Sequence, residues 1–227
     1  MERGLGFSIP VARWCAWPGP ESLNDDALPD VRFVEPQLRR RLGPLARMML
    51  HVAQECAAGV RDLRLVFASQ HGELGYTIAL LKALAWQEPL SPTVFSLSVH
   101  NAAVGMFSML RADRAASTAI AAGDETLGQA LVESYCQLAA DPAQPVLMVY
   151  ADGAFPPEYR EFEERPHNAR ALAVLLSRDA SRTASVEAGA SDDAPASPEG
   201  QADSFVQHLA DGTPQSWTGA RRTWAWH

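Results

Sequence analysis

Three groups of residues in this chain have the types and spacing that chemistry needs. Ser69, His71 and Glu73 fall in Ala68-Ser69-Gln70-His71-Gly72-Glu73, where a hydroxyl, an imidazole and a carboxylate could serve as nucleophile, base and acid of a hydrolase or acyltransferase. Ser69 lacks the flanking glycines of a Gly-x-Ser-x-Gly elbow, and polar residues on a turn after a strand read first as solvated groups. Asp124 and Glu125 are adjacent carboxylates behind the Ala/Gly-rich run Ser117-Thr118-Ala119-Ile120-Ala121-Ala122-Gly123. They could act as a pair, but Asp124 reads better as the cap of the helix that runs to Leu138, where a carboxylate meets free amides and the positive end of the dipole. His100 beside Asn101 is a pair of polar side chains that could make structural hydrogen bonds or bind a ligand. Cys15, Cys56 and Cys136 stand at unrelated spacings, without a Cys-x-x-Cys or paired histidines. That pattern fits reduced, packed thiols; no metal and no cofactor is expected.

The elements that must position these groups alternate along the chain. Gly6 to Ile9 with Val11 reads as a strand, and Leu45, Met49, Val52 and Cys56 form one helical face that Gly59 ends. Leu63, Leu65, Val66 and Phe67 make a compact strand of the kind buried on both faces. Ile78, Leu81, Leu84 and Ala85 form the next helical stripe, followed by a helix over 101–110, a short strand over 116–120, a helix over 125–138 and a strand from Val146 to Tyr150. After a Pro- and Glu-rich loop, Ala171 to Leu176 supply one more strand. This alternation predicts an α/β fold with a mixed, mostly parallel sheet of about five strands packed with helices, the Leu127 helix buried in the middle. From Ala180 to Ser204 the only large aliphatic residue is Val186, which predicts a flexible linker between a domain over 1–179 and a Trp-rich tail over 205–227. Five of the six tryptophans lie near the two termini, so both ends are expected to pack together or against a partner.

The order from Val66 to Tyr150, with Ser91-Pro92-Thr93 opening a Phe/Leu/Val run, then His100-Asn101-Ala102-Ala103-Val104-Gly105, the Ala/Gly-rich turn and Leu127-Gly128-Gln129-Ala130-Leu131, resembles the N-terminal half of a ketoacyl synthase of the thiolase superfamily. The resemblance runs from about Gly6 to Leu176. It is nearest to the short synthase-like proteins of aryl polyene and xanthomonadin-type pigment pathways, some described as chain length factors. In condensing enzymes the Ala/Gly-rich turn carries the nucleophilic cysteine, and the resemblance puts that slot on Ile120, Ala121 or Ala122, none of which can attack a thioester. The family's two catalytic histidines belong to a C-terminal half for which this chain is too short. The resemblance therefore implies no catalytic residue. It implies a non-catalytic subunit that pairs with an active ketoacyl synthase, with an acyl carrier protein as a further partner. Phe95, His100, Asn101, Met106, Phe107 and Met109 become candidates for the interface or an acyl channel, against the default of core filling. The segment from Phe95 to Met109 is expected at the centre of the contact. A scaffold that binds a carrier protein or enzyme without length control is the alternative from another class.

Composition narrows the field further. The 227 residues carry a net charge of −8, which disfavours electrostatic capture of nucleic acid or of an anionic membrane surface. Arg39-Arg40-Arg41 is a short basic run in this acidic chain, read as a solvated helix end with a carrier-protein dock as the alternative. No apolar run is long enough for membrane insertion and the start lacks an export signature, so a cytoplasmic protein is expected.

Overall fold

A computed structural model describes residues 4–19, 28–162, 169–191 and 194–227. Its strands are β1 (Leu5–Trp17), β2 (Arg64–Ala68), β3 (Ser117–Ile120), β4 (Val146–Asp152), β5 (Arg170–Leu176), β6 (Arg182–Ala190), β7 (Gln215–Thr218) and β8 (Arg222–Trp226). The helices are α1 (Pro36–Arg39), α2 (Pro44–Cys56), α3 (Leu74–Ala85), α4 (Pro92–Ser98), α5 (Ala102–Arg111), α6 (Thr126–Ala140) and α7 (Gln201–Asp211), with a 3-10 turn over Pro157–Phe162. All eight strands join one sheet in the order β3-β2-β4-β5-β1-β6-β8-β7.

The α/β class and the mixed sheet agree with the sequence reading, but its strand count and direction are corrected. Only β2 with β3 and β2 with β4 pair in parallel; the other five pairings among the described residues are antiparallel. Parallel neighbours need a helical crossover, and only α3 to α5 and then α6 supply one, between β2 and β3 and between β3 and β4. The five strands from β3 to β1 are those expected, and β6, β8 and β7 extend them.

Alternation in the strands divides the interior into two layers. Leu65 and Phe67 of β2, Leu147 and Val149 of β4, and Ala173 and Leu175 of β5 face α2 and α5. Val66 and Ala68, Val146 and Met148, and Leu172 and Val174 face α6 and α7 on the other side. The α2 face predicted from Leu45, Met49, Val52 and Cys56 is buried. In β1 the register slips between Val11 and Arg13, leaving Ala12 as an extra residue. Such a bulge reverses facing. Ile9 and Val11 point to the α6 side, whereas beyond it Cys15 and Trp17 pack on the α2 side.

The linker and tail expected beyond residue 180 are corrected. β6 lies between β1 and β8, with Ala184, Val186 and Ala188 buried. Its small side chains suffice because Phe205 of α7 and Trp224 and Trp226 of β8 fill the same layer, and its backbone is paired on both edges. Composition registers only the scarcity of large residues in β6. Trp217, Trp224 and Trp226 are fully buried, so this segment is core rather than tail. Packing of the two chain ends is met: Val186 pairs with Phe7 on one side and Trp226 on the other.

Candidate functional site

The turn between β3 and α6 is where a nucleophile at the start of a buried helix would stand. Ile120 ends β3 and Gly123 takes a left-handed φ of +63°, a conformation glycine enters without steric cost. The first helical residue is Thr126, whose hydroxyl donates to the Gly123 carbonyl at 2.6 Å and accepts from the Ala122 amide at 2.9 Å. Ile120, Ala121 and Ala122 thus precede the helix by several residues, and the side chains adjoining its first turn are Asp124 and Glu125. The expected Asp124 cap is corrected. Glu125 occupies the N-cap position and makes no side-chain bond to the helix, while Asp124 Oδ2 accepts from the amide of Ala220 at 3.1 Å. Asp124 is diverted because the β7–β8 hairpin lies over the turn. Arg222 Nη1 from the same hairpin pairs with Glu125 Oε2 at 3.1 Å, and Glu125 is buried. Beside them an open groove of about 500 Å³ runs along Ile120, Ala122, Gln129, Val132 and Glu133 to Arg221.

Gln201 of α7 completes the arrangement. Its Oε1 accepts from the amide of Gly128 at 2.9 Å, one of the first-turn amides that an α-helix leaves free. The start of α6 is therefore held by the β7–β8 turn, β8 and α7.

The Ser69, His71 and Glu73 group does not assemble as a triad. Ser69 is 1% exposed, donates to Asp152 Oδ1 at 2.7 Å and accepts from the Gly72 amide at 2.9 Å. Asp152 also accepts from the amides of Gln70 and His71, so it pins the turn after β2. The His71 ring packs edge-on against Phe155, with centroids 4.7 Å apart. Glu73 reaches elsewhere: its Oε1 accepts from the Ala46 amide at 2.9 Å, in the first turn of α2. Burial raises its pKa against the lowering effect of the Ala46 and Leu45 amides. Gly43, the N-cap of α2, has no side chain to offer, and a Cβ there would stand 2.5 Å from the Glu73 carboxylate. A distant carboxylate thus caps α2, a pairing that only co-occurrence of Gly43 and Glu73 could have signalled.

His100 faces the turn after β2 rather than α5. Its Nε2 donates to the Ser69 carbonyl at 2.9 Å, tying the corner before α5 to the turn after β2. Asn101 is exposed at the N-cap position of α5 and makes no side-chain bond to that helix.

The remaining candidates divide between core and surface. Met106 and Phe107 belong to the α2-side core, and Phe107 sits 5.8 Å from the Phe67 ring, so the expectation that they form a contact surface is corrected. The i, i+3, i+4 spacing in α5 turns them toward α2 and β2. Phe95 at 62% and Met109 at 70% exposure stay at the surface. Neighbouring α3 adds Leu81 and Leu84, and Trp86, Leu90 and Val99 lie exposed beside them. Only Ile78 of α3 is buried, although that helix is strongly apolar. Lys82 of the same helix pairs with Glu158 of the 3-10 turn.

Among the described residues no group of three potential metal ligands occurs, and no single helix is long and apolar enough to cross a membrane. The paired α4 and α5 pass by length and composition only together, with a 94° bend between them.

Residues 14–227 match the family described as beta-ketoacyl synthase, N-terminal domain, and the chain belongs to that family. No curated protein matches the chain. Among solved structures it is similar to a chain of the ketosynthase (ApeO) in complex with its chain length factor (ApeC) from Xenorhabdus doucetiae. The two share 24% identity at a TM-score of 0.84, over 97% of this chain and 99% of that one. A beta-ketoacyl synthase from Burkholderia phymatum STM815 matches at 14% identity and a TM-score of 0.56, over 74% of this chain and 52% of its own. The ishigamide ketosynthase/chain length factor matches at 15% identity and 0.55, over 82% and 68%. These likenesses establish the ketosynthase-like fold.

Proposed function

We propose that this chain is a non-catalytic, chain-length-factor-like subunit that pairs with an active ketoacyl synthase and helps set the length of an acyl chain built on a carrier protein. The observation that carries the reading is the first turn of α6. A condensing enzyme needs a thiolate there, stabilised by free amides and open to a thioester. Here the turn presents the carboxylates of Asp124 and Glu125, both engaged by the β7–β8 hairpin, and a first-turn amide is occupied by Gln201. A carboxylate is a poor acyl acceptor beside a thiolate, and the nearest cysteine in sequence, Cys136, lies in the third turn of the same helix.

Pairing is supported by the exposed apolar side chains of α3 to α5. A cluster including Leu84, Trp86, Phe95 and Met109 on adjacent helices is the kind of surface that marks a protein contact. It also fits the similarity to the Xenorhabdus complex, in which a ketosynthase is joined to its chain length factor. The test is acyl transfer. The purified chain, a co-expressed ketoacyl synthase and an acylated carrier protein are incubated together, and each polypeptide is weighed by mass spectrometry. The acyl group is expected on the synthase alone. Stable acylation of this chain at Cys15, Cys56 or Cys136, lost on substituting that cysteine, would overturn the reading.

A further inference from the structure

Arg39, Arg40 and Arg41 form the corner between α1 and α2. α1 ends at Arg39, and Arg40 is its C-cap residue. The main chain of the run is tied down on every side: the Arg41 amide donates to the Leu38 carbonyl at 2.9 Å, the Arg39 carbonyl accepts from Arg47 Nη2 at 2.7 Å, and the Arg41 carbonyl accepts from the Tyr76 hydroxyl at 2.8 Å. Arg47 of α2 also donates through Nε to the Leu42 carbonyl at 3.2 Å. The backbone is thereby fixed to α2 and α3, and the side chains of Arg40 and Arg41 are left at the surface.

Positive charge gathers at this corner without acids to offset it. Five arginines but only two acids, Asp30 and Glu35, lie between residues 28 and 50 of a chain whose net charge is −8. Asp30 pairs with Arg32, and Glu35 caps α1 by accepting from the Leu38 amide. Glu73, which packs at Gly43, is engaged by the Ala46 amide. Among the described residues no carboxylate pairs with Arg39, Arg40, Arg41 or Arg47.

We propose that this corner docks the acidic face of a small partner protein, with Arg40 and Arg41 pairing its carboxylates and Arg39 and Arg47 adding to the local field. A planar guanidinium can take a carboxylate through two parallel hydrogen bonds, and a fixed backbone presents both at a set spacing. A single small anion gains little from exposed arginines, so several carboxylates on one surface are needed. A long polyanion would run past the corner onto the acidic remainder of the chain and be repelled there. Tyr76 joins the corner to α3, whose exposed Leu81 and Leu84 belong to the contact proposed for the synthase, so the docked protein stands beside that contact. On the partner-subunit reading, on which this assignment rests, the docked protein is the carrier protein that brings the acyl chain.

A holo acyl carrier protein is the probe, titrated into the full chain by isothermal calorimetry. Binding is expected for the unaltered chain and should weaken as salt is raised from about 50 mM to about 300 mM. Arg40→Glu with Arg41→Glu should weaken it about tenfold or more, and Arg40→Lys with Arg41→Lys much less. Both pairs should keep the Tm of the unaltered chain, because these side chains are exposed. Absence of binding by the unaltered chain, or equal affinity in the glutamate pair, would overturn the proposal. So would a glutamate pair that loses binding to a DNA duplex or a phosphatidylserine vesicle but not to the carrier protein. Acylation of this chain in the mass-spectrometric test would sink the non-catalytic reading while leaving an arginine-dependent, salt-sensitive dock in place, so the two failures are distinguishable.

Discussion

Gly128 and the Trp224 indole are in direct contact, and a Cβ on Gly128 would stand 2.6 Å from the ring. This contact presses the first turn of α6 onto β8, so that turn buttresses the C-terminal hairpin. Substituting Gly128 by alanine ordinarily strengthens a helix by about 1 kcal/mol. Here the methyl has nowhere to go, and overpacking costs about 1–3 kcal/mol. Gly128→Ala is expected to lower stability in urea unfolding, and much less so in a Trp224→Ala background, where the ring is gone.

Glu73 gives α2 a pH-dependent cap. Its folded pKa lies above its ordinary value because burial disfavours the charge. Its contribution is therefore fully present below the unfolded pKa and is lost as pH rises through the folded value. Glu73→Gln keeps an oxygen for the Ala46 amide without the buried charge, so its stability should not fall across that window. Glu73→Ala removes the acceptor and should cost about 1 kcal/mol below that window and less above it, where the wild type has lost the contribution of Glu73. Thermal unfolding from pH 4 to 8 separates the three proteins.

The exposed α3 face and the buried α5 face should respond differently to a charge. Leu84→Asp and Trp86→Asp are expected to leave stability within about 0.5 kcal/mol and to abolish co-purification with a co-expressed ketoacyl synthase. Met106→Asp or Phe107→Asp buries a carboxylate in the core and should unfold the chain. Circular dichroism and a pull-down read the two effects separately. Full-yield co-purification of both α3 variants would place the contact elsewhere.

Arg222 neutralises Glu125, whose Oε1 already has no hydrogen-bond partner. Arg222→Ala should destabilise by about 1–3 kcal/mol, a modest figure because the arginine is half exposed. Adding Glu125→Gln should recover part of the loss by removing the buried charge. Denaturant midpoints of the single and double variants measure the coupling.

Most local elements up to residue 176 were legible because hydrophobic period and turn residues report them directly, whereas the short helices α1 and α4 were not read as helices. Leu63 to Phe67 alternate between two cores, and Leu45, Met49, Val52 and Cys56 line one helical face, as their spacing alone requires. Family membership was also written in the order of motifs from Val66 to Tyr150. What a buried face packs against is not a local property. β6 is a strand because β1 and β8 pair with it and large rings from α7 and β8 fill the space its small residues leave. Met106 and Phe107 are core, and Phe95 and Met109 surface, through the direction in which α5 lies on α2 and the sheet. Asp124 looked like a helix cap from its position, but a hairpin almost a hundred residues away supplies the amide that takes its carboxylate, and Glu73 caps a helix that precedes it. The sequence determines which faces are apolar and where chain direction changes; only the tertiary structure decides which polar groups, distant along the chain, satisfy one another, because those bonds depend on close approach across the sheet.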